Sequence, residues 1–233
     1  MAEVFQGATC LDGWKAVVES LLGGSREASN LLIVISDPCG VSDEWLYRYN
    51  PRSVGAGYDS IRDVANTIFP LRTYENAASR DQFYARYCRA LARRRHLHPG
   101  VWGTYFHRLI DFGTSHVNQL ERAISAMRAW ERNHKSVVVL HTSSAETDGI
   151  RTRGGPCLQY VQLNCPDPGT VDIVAVYRNH DYFNKALGNF IGLARLLRFV
   201  CEAIAREPGS LTCHSVHAFL GAPRSRVSDL LNS

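Results

Sequence analysis

The chain has 233 residues, 45% of them apolar, and 26 basic against 22 acidic side chains give a formal charge of +4. This is the composition of an ordinary globular protein with a substantial core, long enough for one large domain or two small ones. So small a positive balance does not single out nucleic acid, and the basic run ARRRHLH at 92–98 reads as a solvated helix end.

Seven cysteines at 10, 39, 88, 157, 165, 201 and 213 are odd in number, scattered, and never spaced as CxxC. That argues against a zinc ribbon or redox dithiol, and the free thiols fit a cytoplasmic chain better than a disulfide-stapled one. No histidines stand at metal spacing, so no metal is expected. No basic leader precedes a long apolar run, and no stretch approaches the roughly 18–20 apolar residues of a membrane span.

In chain order, Leu11, Trp14, Val17, Val18, Leu21 and Leu22 recur at helical spacing, and GGS at 23–25 ends that helix. NLLIVISDP at 30–38 reads as a buried strand closed by Asp-Pro. Residues 40–70 are polar and glycine-bearing, with PRSVGAGYD a surface or ligand loop. Helices are expected over 79–95, with Ser79 as N-cap, and over 115–132. The β-branched KSVVVLHT predicts a strand. LQYVQL and TVDIVAVYR predict two more, joined by the turn NCPDPG, and NFIGLARLLRFVCEAIARE at 189–207 predicts a central apolar helix. The sum is one α+β domain over 1–233, a mixed sheet packed on a central apolar helix and further helices.

Cys157 follows Pro156 at the head of a strand, where a side chain can reach a cleft from a rigid backbone. A nucleophilic thiolate needs nearby positive charge. The short connection makes the TVDIVAVYR strand antiparallel and brings its last residue, Arg178, toward the thiol. The competing reading is core filler, the commonest fate of a free cysteine. YRNHDYFNKALGN then gathers Arg178, Asn179, His180, Asp181 and Asn189 between an apolar strand and an apolar helix. This is either a polar site or a surface loop in which Asp181 caps a turn and Asn189 caps the helix. His217 reads as a site residue or as a satisfied core histidine.

The order of these motifs resembles the thymidylate synthase family with its pyrimidine hydroxymethylase relatives. Pro156-Cys157 matches the nucleophile, Gln162 the strand glutamine, Arg178 the phosphate-gripping arginine and Asp181 the aspartate that follows it. Asn189 matches the asparagine that reads the pyrimidine edge, and His217 the first of a sugar-binding pair. WGTYFHRL at 102–109, the helix and strand around 117–142, and NTIFPL at 66–71 extend the likeness over about residues 60–220. The resemblance implies a transferase in which Cys157 adds to C6 of a uracil or cytosine ring and makes C5 nucleophilic. It implies a pyrimidine nucleoside monophosphate as substrate, 5,10-methylenetetrahydrofolate as one-carbon donor, and a homodimer whose phosphate site borrows residues such as Lys135 from the partner. The asparagine leans toward uracil.

The departures are specific. Where the family carries its catalytic glutamate the chain has Ala85, and neither Glu75 nor Asp81 fits the spacing. Leu158 follows the nucleophile, Phe219 replaces the tyrosine paired with His217, and Lys135-Ser136 stands for an arginine pair. The family's C-terminal lid segment has no counterpart in these 233 residues. A folate-independent enzyme on the same scaffold, or an inactive nucleotide-binding homologue, is therefore an alternative expectation.

Overall fold

The computed structural model describes residues 3–40, 48–97, 103–130, 138–149 and 155–232. The described residues form an α+β fold around one mixed sheet with the order β1-β2-β7-β5-β4-β3. Its strands are β1 (Glu3–Gly7), β2 (Glu27–Ile35), β3 (Val138–His141), β4 (Leu158–Asn164), β5 (Thr170–Tyr177) and β7 (Glu207–Phe219); the short β6 (His180–Asp181) pairs with β7. β7 lies antiparallel to β2 and parallel to β5 and β6, so it ties the two halves of the sheet together.

One face of the sheet is packed. Along β5, Val171, Ile173, Ala175 and Tyr177 are buried at every second position, as a strand covered on one side requires. They meet α8 (Ala186–Ile204), in which fourteen of nineteen residues are buried, so this helix is enclosed nearly all round. Helix α1 (Cys10–Gly23) lies beside it, started by Thr9 and Asp12 in a reciprocal capping box. Helices α2 (Ile61–Ile68), α3 (Leu71–Glu75), α4 (Arg80–Leu97), α5 (Tyr105–Ile110) and α6 (Gln119–Arg128) complete that side, with α7 (Ala145–Asp148) and α9 (Arg224–Leu231) at its margins. An aromatic cluster joins α4, α5 and α8 with Phe69, the residue after α2: Phe69 stands 5.3 Å from Phe199, and Phe83 5.0 Å from Phe106, centroid to centroid.

The contact between α2 and α8 depends on two glycines. A Cβ on Gly188 would lie 2.7 Å from Val64 Cβ, and one on Gly192 would lie 2.8 Å from the Ala65 carbonyl oxygen. The helices thus cross at nearly backbone distance, and Gly188 serves this crossing rather than the start of α8.

The other sheet face is not covered by any described element. Val4, Val139 and Val216 are 64, 41 and 43% exposed there, and Leu32, Val34, Val174 and Val176 are half-buried. Among the described residues no helix is long and apolar enough to cross a membrane.

The expected α1, α4, β4 and β5 are present, and β2 begins three residues earlier than expected. Ser79 accepts the Gln82 amide at 3.2 Å, as an N-cap does. The helix expected at 115–132 starts later, at Gln119. A bridge between Phe112 and Val117 occupies the preceding residues, and Asn118 accepts the Glu121 amide at 2.9 Å. The region 40–70 is not all loop: Ser60 caps α2 by accepting from Asp63 N at 3.0 Å.

Candidate active site

A cavity of about 950 Å³ opens where the ends of β4, β5 and β6 meet α2, α4, α5 and α8. That is at the upper end of the range of roughly 300–1,000 Å³ that small-molecule sites occupy. Cys157, Asp181 and Asn189 line it, beside Tyr177, His180, Lys185, Asp59 and Tyr105.

Cys157 is half-buried and directly precedes β4. The approach is shaped by Gly155 at φ +78°, a conformation that strains any residue with a Cβ. Cross-strand pairing then sets the neighbour. Leu158 faces Tyr177, and Arg178 N–H donates to the Cys157 carbonyl at 2.9 Å. The Arg178 guanidinium donates through Nε to the Pro156 carbonyl at 3.1 Å, which holds its charge behind the thiol. Tyr105 approaches from α5, its hydroxyl accepting from Cys157 N at 3.2 Å and Leu158 N at 3.4 Å. Helix α5 is itself anchored by Arg108, which grips Asp148 through two hydrogen bonds of 2.7 and 2.5 Å.

Burial pushes the Cys157 thiol above its ordinary 9.0, and Arg178 and Lys185 pull it back without cancelling that rise. Burial also lifts the Tyr105 hydroxyl, to about 12, with Cys157 adding to the effect. Lys185 is paired with Asp59 across the cavity mouth, and Asn184 clasps the same aspartate by donating to its carboxylate at 3.0 Å and accepting from its amide at 2.8 Å. Desolvation opposes that carboxylate's charge, but Lys185 and Asn184 hold it below its usual range.

The cavity floor is uncharged and buried. His180 stacks flat on Tyr177, with centroids 4.0 Å apart and planes within 7°. Its Nδ1 lies 2.9 Å from Ser215 Oγ and its Nε2 lies 3.0 Å from Asn189 Nδ2. The strand register dictates this grouping, since Tyr177 on β5 pairs with Ser215 on β7. Burial drives the imidazole pKa down to about 3, so the ring is neutral at physiological pH. Tyr177 is fully buried and its hydroxyl has no hydrogen-bond partner among the described residues.

The expected site residues therefore separate. Cys157 and Asn189 line the same cavity, whereas Arg178 sits beside Cys157 and is not among the lining residues, and Asn189 is not a helix cap. Helix α8 starts at Ala186, the Asn189 amide already donates to the Lys185 carbonyl, and the side chain turns to His180. Asp181 lines the cavity while its Oδ1 accepts from Phe183, Asn184 and Gly221 amides at 3.0, 3.2 and 3.0 Å. It thus closes a turn and ties it to the end of β7; burial raises its pKa despite those amides and Lys185.

His217 stands one residue behind the cavity. It meets Asn179 Oδ1 through Nδ1 at 2.6 Å and stacks on Phe219, and it is those two neighbours that line the space. Gln162 does not face the cavity. It lies between buried Val161 and Leu163 on a strand of period two and so belongs to the uncovered sheet face. Lys135 and His134 lie outside the described residues, as does Trp102. Glu75 and Asp81 line a separate depression with Arg80 and Glu121, while the carboxylates at the cavity are Asp59, Asp63 and Asp181. Asp59 and Lys185 escaped sequence reasoning because 126 positions separate them; the polar glycine-rich loop before Ser60 was the one available hint.

No family model matches the chain. It is 24% identical over 221 residues to a "Putative thymidylate synthase" of Methanothermobacter thermautotrophicus, covering 90% of this chain and 89% of the relative. Proteins of the same description from Methanothermobacter marburgensis (23% over 221 residues, 90% and 88% covered) and Methanococcoides burtonii (25% over 195 residues, 84% and 73% covered) are similar too. The chain is thus a distant relative of these proteins along most of its length.

Proposed function

We propose that this chain is a pyrimidine nucleotide C5-modifying enzyme that works through covalent addition of Cys157 to C6 of the ring. The observation that carries this reading is the convergence of Cys157, backed by Arg178, with the ring-reading amide of Asn189 in one cavity, in a chain distantly related to those archaeal proteins. The Cys157 sulfur supplies the electron pair of a new S–C6 bond. The C5–C6 π electrons move onto C5, with the charge shared by the C4 oxygen in uracil or by N3 in cytosine, and C5 becomes the nucleophile. Loss of the C5 proton to water then re-forms the C5–C6 double bond as the sulfur leaves with the S–C6 electron pair, which restores the thiolate. Arg178 and Lys185 favour the thiolate, and Lys185, which lines the cavity, can pair with a nucleotide phosphate.

The co-reactant that fits this reading is 5,10-methylenetetrahydrofolate, which would supply the one-carbon unit to C5. The side of the cavity lined by Tyr87, Leu91, Arg72 and Arg94 combines apolar wall with positive charge, and so suits a planar ligand with an anionic tail. A homodimer also belongs to this reading, with the uncovered valine-bearing sheet face as the surface that would join it; light scattering at twice the chain mass would establish the dimer, and its loss in Val216→Lys the face.

The test needs no co-reactant. Exchange of the C5 hydrogen of UMP, dUMP, CMP and dCMP in deuterated water, followed by NMR, should proceed with at least one nucleotide and vanish in Cys157→Ala. Tight binding without exchange would leave a nucleotide-binding homologue; neither binding nor exchange would sink the substrate class.

A further inference from the structure

Asn189 can read a pyrimidine edge only if its amide is held one way round. Uracil presents an N3–H donor beside the O4 acceptor; cytosine presents an N3 acceptor beside an N4 amino donor. Both edges match a carboxamide, but in opposite order. An amide free to turn over accepts either base, whereas a fixed one accepts one.

The floor of the cavity fixes it. Asn189 is 4% exposed and its Nδ2 donates to His180 Nε2 at 3.0 Å, so that nitrogen is the bare one of a neutral imidazole. The ring proton then sits on Nδ1 and is donated to Ser215 Oγ at 2.9 Å, and Ser215 in turn meets the Tyr182 hydroxyl at 3.1 Å. Turning the amide over would place its oxygen against Nε2. The imidazole proton would then have to move to Nε2 and the Ser215 hydroxyl reverse, all inside a buried stack against Tyr177. The orientation of Asn189 and the tautomer of His180 are one variable.

We propose that His180 is the positioning residue that decides which order of donor and acceptor Asn189 shows a bound ring, and so which of uracil and cytosine the site takes. This rests on the pyrimidine reading above and adds to it a determinant on β6 that never touches the base.

Two measurements test it. Nitrogen-15 NMR of the ligand-free chain should show a single His180 tautomer protonated at Nδ1; a proton on Nε2, or averaging between both, overturns the proposal. Calorimetric binding of UMP, dUMP, CMP and dCMP should show wild type preferring one base by about tenfold or more. His180→Phe, which keeps a flat ring but offers no acceptor, should bring that ratio within about threefold. His180→Gln restores an acceptor and should recover most of the preference. If His180→Phe fails to fold, Ser215→Ala leaves the ring in place and should erode the ratio in the same direction. Equal loss of both bases in these variants would mean a structural role and overturn the inference while leaving the nucleotide reading intact. A wild-type chain that binds none of the four overturns both, with the NMR result separating the floor's geometry from its ligand.

Discussion

The floor and the mouth of the cavity are built on opposite principles. The floor is neutral, buried and stacked: Tyr177, His180, Ser215 and Asn189 hold one another through directional bonds from three strands and a helix. The mouth is charged and open, with Lys185 and Asp59 about half exposed and paired across it. The bonds among His180, Ser215 and Asn189 specify one arrangement, with Tyr177 stacked on them and its hydroxyl left over, whereas exposed ion pairs add little stability and leave their charges free to regroup. The molecule thus keeps fixed geometry at the bottom and adjustable charge at the top.

Acid should break the floor first and most strongly. The His180 pKa is lowered from 6.5 to about 3, so between those values the unfolded chain binds a proton that the folded one refuses. Stability is complete above about pH 6.5 and falls as pH drops toward 3, by about 1.4 kcal/mol per unit from this residue. Urea midpoints across that range should slope less steeply in His180→Phe; an unchanged slope would mean the imidazole is not held neutral.

A smaller effect of opposite sign belongs to Tyr177. Its buried hydroxyl has no partner, so Tyr177→Phe should raise stability by about 1 kcal/mol, seen as a higher melting temperature. A fall would show that the hydroxyl has a partner after all.

At the mouth, stability should scarcely move and reactivity should. Lys185→Met removes a cation that favours the Cys157 thiolate, while Asp59→Asn leaves that cation unneutralised. Iodoacetamide labelling of Cys157 at pH 8, read by mass spectrometry, should slow about threefold in the first and quicken in the second. Shifts in the same direction would dismiss the pair as a tuner of the thiol.

What the sequence showed follows from where the information lies. Helices α1 and α8 and strands β4 and β5 carry their own periodicity, and the turn at 164–169 sets the β4–β5 pairing that brings Arg178 to Cys157. Strand β7 does not read as central. Its thirteen residues hold a proline, a glycine and two histidines, and its position comes from two partners distant in sequence. Pro208 is tolerated because it comes at the strand's start. Helix α2 is only eight residues long inside a polar stretch, too short to announce itself. Asn189 was legible as a candidate, and it does line the cavity, but its attachment to His180 was not legible, because an asparagine before an apolar helix reads equally as a helix cap.

The crossing of α2 over α8 has a mechanical corollary. Helix α2 carries Val64 and Thr67 on the cavity wall, α8 carries Asn189 on the floor, and the two are gauged against each other by Gly188 and Gly192. A single methyl at Gly192, three residues from Asn189 along the helix, would act as a shim. Its carbon would sit 2.8 Å from the Ala65 carbonyl, so α2 would have to lift by about half an ångström and carry its wall outward. The width of the cavity is therefore calibrated at a joint whose glycines do not line it.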